Sequence, residues 1–189
     1  MLQKTFLNQL KKDYKNSVEQ RRMIISTSNA ILHDSKRTIF AIHKPDLETA
    51  KSSLENIENR IKKLQKNFGY NRLIEEGAYQ AAVEEYVEAK TFYWTTKKQN
   101  IKKIIKIKLS TTAYLGGISD LTGELLRQAI NAAAQNNLEL VKNNHKIIND
   151  ILNHLVNFDM TGYLRTKYDQ AKNNLRKIEQ INYEINLKK

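Results

Sequence analysis

Apolar or small residues fall at Leu7, Leu10, Tyr14, Val18, Ile25, Ser28, Ile31, Leu32, Ser35, Ile39 and Ile42. This three-and-four spacing predicts one unbroken helix running to Pro45. A helix of ~40 residues is about 60 Å long at 1.5 Å per residue. That exceeds what a small monomer covers, so part of it is expected to pack on another subunit or on an equally long helix. A second helix opens at Asp46, with Leu47, Ala50, Leu54, Ile57, Ile61 and Leu64 on one face, and closes near NFGYN. Asp46 is its N-cap candidate, and Thr49 stands where a glutamate would complete a capping box. A third helix starts near Asn71 and carries GAYQAAVEEYVEAKTFYW. The next stretch, KKQNIKKIIKIKLSTT, is read as helix on Ile101, Ile104 and Ile105, although Ile105, Ile107 and Leu109 alternate as in a strand. LTGELLRQAINAAAQ is a fourth helix, LELVKNNHKIINDILNHLVNF a fifth and YLRTKYDQAKNNLRKIEQINYEINL a sixth. The fold class is all-α: an elongated bundle of about six or seven helices, read as a single domain over 1–189.

Composition strengthens this reading. One proline and six glycines in 189 residues favour long helices over a turn-rich β protein. The chain has no cysteine, which excludes disulfides, thiolate metal sites and cysteine nucleophiles. That is compatible with a reducing compartment, and a cytoplasmic location is the expectation. No apolar run approaches the ~18–20 residues of a membrane span, so no membrane partner is expected. The start, MLQKTFLNQLKKDYKN, lacks the apolar block of a secretory signal. It is basic and amphipathic, and is read as a first helix, with organelle targeting as the alternative.

The formal net charge is +12, which draws the chain to polyanions, nucleic acid first. Between Glu88 and Asp120 there is no acid, while Lys90, Lys97, Lys98, Lys102, Lys103, Lys106 and Lys108 all fall there. The stretch is either a solvated helix face or a phosphate-tracking surface.

Acids bracket it on both sides. Glu84, Glu85 and Glu88 of EEYVEA, and Asp120 and Glu124 of DLTGEL, are spaced to project pairs from one face of each helix, among apolar or small neighbours. Carboxylates gathered there either share protons or surround a cation. Oxygen-only donors suit a hard divalent ion, Mg²⁺ or Mn²⁺. The alternative is that these acids pair with lysines or cap neighbouring helices. A di-iron bundle would need Glu-x-x-His, and the four histidines, His33, His43, His145 and His154, are placed elsewhere. Gly123 marks a point of close approach or serves helix packing alone. A hard ion beside a basic surface suggests phosphodiester chemistry, with the ion lowering the pKa of water and a spare carboxylate taking its proton.

Taken in order, SKRTIFAIHK, EEYVEA, YLGGISDLTGELLRQAIN and GYLRTKYDQAKNNLRKIEQINYEI resemble the translin family, and its translin-associated factor X branch most closely. The similarity runs from about Arg22 to Ile185; the stretch from Lys97 to Lys108 matches no motif. The resemblance implies about seven helices assembling into a closed, hollow octamer that binds single-stranded RNA, and also single-stranded DNA. It implies a Mg²⁺-dependent endoribonuclease site with Glu85, Glu88 and Asp120 as catalytic acids and Glu88 and Glu124 as metal ligands; Glu84 is left without a role. A homo-octamer follows if no sister chain exists. The alternative within the family is a non-catalytic RNA- or DNA-binding oligomer, and outside it a plain helical scaffold. Arg127, Lys36, Arg37 and Arg165 are candidate RNA contacts, each with a structural ion pair as its alternative. Tyr86, Tyr93 and Trp94 are offered for base stacking, with core packing as theirs.

Overall fold

A computed structural model describes residues 2–187. It contains α1 (Lys4–His43), α2 (Leu47–Phe68), α3 (Tyr70–Leu73), α4 (Gly77–Thr96), α5 (Thr111–Ala134), α6 (Leu138–Leu155) and α7 (Gly162–Leu187), with no strand among the described residues. Side-chain caps set three of the starts. Asp46 accepts from the Thr49 N–H at 3.1 Å, Ser110 from Ala113 at 3.0 Å and Asn137 from Leu140 at 3.2 Å, each satisfying a donor the helix leaves free. Gly69, at φ +75°, separates α2 from the short α3, a backbone conformation that side chains resist.

α4 lies between α1 and α5; α5 also packs on α6 and α7, and α2 flanks α1. The central place of α4 follows from its sequence, which is apolar or small on nearly every side. Tyr79, Ala82, Val83, Tyr86, Val87, Ala89 and Phe92 are all buried. Gly116 and Gly117 let α5 close onto it. A Cβ at Gly117 would lie 2.7 Å from the Glu84 carbonyl oxygen and 2.8 Å from the Val87 Cβ. One at Gly116 would meet the Glu84 carboxylate at 2.3 Å. At Gly123 a Cβ would find only Asn174 at 3.6 Å, ordinary contact. The close approach therefore sits two turns before Gly123.

The lysine-rich segment corrects the sequence reading: 97–110 is not helical. β-Branched isoleucines and like-charged lysines four residues apart give a helix little intrinsic support, and anchors fix another path. Gln65 bonds both backbone groups of Lys108, at 3.0 and 2.6 Å, and the Ile104 N–H donates to the Tyr114 hydroxyl at 2.8 Å. Ile104 and Ile107 are buried, whereas Ile105 faces solvent. The helix before it begins at Gly77 after the separate α3, and the helix after it begins at Thr111, ten residues ahead of Leu121 where the sequence placed it.

The long first helix is as expected, but only its second half is packed: Ile24 is its first buried residue. Phe6, Leu7, Leu10 and Tyr14 are exposed. No helix among the described residues is long and apolar enough to cross a membrane.

Candidate functional site

The close α4–α5 contact sets the carboxylates of both helices into one electrostatic cluster. Glu88 is buried, and burial is the main reason its pKa is pushed up to about 9, with Glu85, Asp120 and Glu124 all adding to it. Glu85 is also raised, by burial first, then by Asp120 and Glu124, with Lys36 and Lys167 acting against them. Burial raises Asp120 while Lys167 opposes.

Two side chains that sequence reasoning missed enter this cluster. Lys167, from α7, donates to Asp120 and lies 3.1 Å from Glu84. Burial works against its charge, but Asp120, Tyr163 and Glu84 outweigh it and hold its pKa above the ordinary lysine value. Glu84 accepts from the Tyr163 hydroxyl as well. His43 corrects the expectation that the histidines lie elsewhere. The last turn of α1 brings its Nε2 to 2.5 Å from the Glu124 carboxylate, 81 residues away in sequence, with the ring 4.9 Å from Phe92. A signal for His43 was present, since it lies in the motif SKRTIFAIHK. Lys167 lies in YLRTK, where spacing alone distinguishes it from no other lysine of the tail.

The four acids thus share one neighbourhood, and their donor chemistry suits a hard divalent ion. Glu88 in particular is a buried carboxyl faced by further acids, which an added cation would relieve. Yet among the described residues no three His, Asp or Glu side chains are converged as ligands. Lys167 engages Asp120, and His43 engages Glu124.

The candidate RNA contacts fall at different places. Arg127 is half-exposed and 3.6 Å from Glu124, at the edge of the cluster. Lys36 acts electrostatically on Glu85 and, with Arg37, lines a groove of about 750 Å³ between α1 and α2. Arg165 stands apart, paired with Asp169 at 3.1 Å on the exposed side of α7. Tyr86 and Trp94 are core residues, Tyr86 bonding Glu58 at 2.7 Å, so neither is available for stacking; Tyr93 is half-buried.

Comparison with known proteins agrees with the motifs. The chain is 30% identical over 178 residues to an uncharacterized protein of Methanocaldococcus jannaschii, covering 90% of this chain and 78% of that protein. It is 23% identical over 187 residues to Translin-associated protein X of Mus musculus, covering 77% of this chain and 59% of that protein's length. Among solved structures it is similar to apo-NeC3PO, with a TM-score of 0.86, 25% identity and 97% of each chain covered. It also superposes on AfC3PO, with a TM-score of 0.89, 19% identity and 97% and 98% of the two chains covered, a likeness of fold alone. The AfC3PO–duplex RNA complex matches with a TM-score of 0.84 at 17% identity, again over 97% of each chain. The sequence profile of the translin family matches residues 19–189, and the chain belongs to that family.

Proposed function

We propose that this protein is a Mg²⁺-dependent endoribonuclease that cleaves single-stranded RNA inside a closed helical oligomer, with the octamer as the expected form and Mn²⁺ as a substitute ion. The observation that carries the reading is the electrostatic cluster of Glu85, Glu88, Asp120 and Glu124 on two closely packed helices of a chain with net charge +12. Glu88 and Glu124 would hold the ion, which when bound supplies a lowered water pKa and charge neutralisation at the phosphate. Glu85 and Asp120 are the carboxylates left to take a proton from the attacking water as the P–O bond to the leaving oxygen breaks. Arg127, 3.6 Å from Glu124, would hold the phosphate. Lys36, which acts electrostatically on Glu85, and Arg37 line the α1–α2 groove and would add basic contacts for the RNA strand.

A second reading, a non-catalytic RNA- or DNA-binding oligomer, is favoured by one observation: Asp120 and Glu124 are engaged by Lys167 and His43. Incubating purified protein with labelled RNA separates the two. Cleavage of single-stranded RNA is expected in Mg²⁺ and none in EDTA. A duplex probe run in parallel is warranted because the AfC3PO complex holds duplex RNA. Glu88→Ala and Asp120→Ala are expected to lose cleavage by at least about 100-fold, the scale of a catalytic acid–base group, while still binding RNA. Cleavage that persists in both variants removes the proposed site. Binding without cleavage in the wild type selects the second reading.

A further inference from the structure

Lys167 lies one turn beyond Tyr163 on α7, and its ammonium reaches the middle of the acid cluster. Its Nζ donates to Asp120 and stands 3.1 Å from Glu84, with the side chain only 19% exposed. Glu84 is tied in turn to the Tyr163 hydroxyl. An ammonium has three donors and no acceptor, so it can bridge two carboxylates and neutralise both. Glu84 and Tyr163 have no part in the cleavage reading, yet both are built around this lysine.

We propose that Lys167 is the resident counter-cation of the carboxylate site: it bridges Asp120 and Glu84 until a divalent ion binds at Glu88 and Glu124, whereupon it withdraws from Asp120 onto Glu84 and Tyr163. The inference rests on the metal-dependent reading above. Two cations in one partly buried acid cluster repel more strongly than they would in water, because the local dielectric is lower. A lysine that simply lost Asp120 would be a buried charge without a partner, which is costly. Glu84 removes that cost, since Lys167 already touches it. A cavity of about 230 Å³ bordered by Glu84 and Tyr163 leaves room on that side. The displaced lysine therefore exchanges a two-carboxylate bridge for a contact with Glu84 and the Tyr163 hydroxyl, and no buried charge is abandoned.

Titration calorimetry of Mn²⁺ into the metal-stripped full chain tests this with the wild type, Lys167→Met and Lys36→Met. Lys36 also acts on the cluster, through Glu85, so its removal reports the loss of one positive charge without any displacement. Lys167→Met is expected to bind Mn²⁺ about ten-fold tighter or more, and Lys36→Met to stay within about two-fold of the wild type, differences that calorimetric affinities resolve. Equal gains in the two variants, or no gain in Lys167→Met, overturn the proposal. If the wild type binds Mn²⁺ and Lys167→Met binds no better, only the counter-cation falls and the metal reading stands. If none of the three binds, both fall. Should Lys167→Met fail to fold in EDTA, Lys167→Gln is used in thermal melts. Its Tm is expected below the wild type in EDTA and level with it in Mn²⁺; a deficit that Mn²⁺ does not close overturns the proposal.

Discussion

Glu58 and Glu88 are both buried glutamates on neighbouring helices, 6% and 8% exposed, and their surroundings drive them in opposite directions. Burial raises the pKa of Glu58, but the Tyr86 hydroxyl, Lys106 and Lys90 together more than reverse it, leaving it lowered. Glu88 faces acids and is pushed up to about 9. The first is a structural acid with its partners supplied; the second is one whose partner must come from elsewhere. The pH dependence differs in sign. A raised carboxyl contributes stability that is complete below its unfolded pKa and lost as pH rises through the folded one. In EDTA, the wild type should therefore lose stability relative to Glu88→Gln between roughly pH 5 and pH 9, with a slope of about 1.4 kcal/mol per pH unit for one proton. Denaturant melts across that range check it, and parallel curves for the two proteins would refute it. Glu58→Gln should instead remove a loss of stability seen on acidification, because a lowered carboxyl stabilises above its unfolded pKa.

Among the elements, the packing of α4 on α5 decides whether the acids meet. Gly116 and Gly117 permit it, and Gly123 does not restrict it. Gly117→Ala should destabilise by about 1–3 kcal/mol, the usual cost of overpacking against backbone. Gly123→Ala has room and should stabilise by up to about 1 kcal/mol through helix propensity. Urea denaturation of the two variants tests the contrast, and equal effects would mean the glycine pair is not the close-approach point. The helices were legible in the sequence because their apolar spacing and caps, such as Asp46 and the apolar stripe from Leu47 to Leu64, are local signals. The segment 97–110 was misread because its conformation is held by Gln65 and Tyr114, which no local pattern reveals.

At the scale of the molecule, net charge and an exposed apolar arm set the expected behaviour. If the +12 charge serves RNA binding through about four phosphate contacts, affinity for single-stranded RNA should fall by about fifty-fold between 50 and 200 mM salt. Fluorescence anisotropy across that range measures it, and a flat response counts against a phosphate-contacting surface. The first half of α1 presents Phe6, Leu7, Leu10 and Tyr14 to solvent, and the family profile begins only at residue 19. If the proposed oligomer covers this arm, Leu10→Ser with Tyr14→Ser should lower the mass measured by light scattering; an unchanged mass would place the subunit contacts elsewhere.

The chain's own pattern was enough to establish an all-helical protein of the translin family and to single out the acids of EEYVEA and DLTGEL, because helical periodicity and motif spacing are properties of neighbouring residues. It did not reveal that Lys167 engages Asp120 and Glu84, or that His43 engages Glu124, across 47, 83 and 81 residues of chain. Those pairs arise only when α1, α4, α5 and α7 pack together, since burial removes the water that would otherwise screen and satisfy each charge. Whether Asp120 and Glu124 stand bare or partnered is a consequence of that packing.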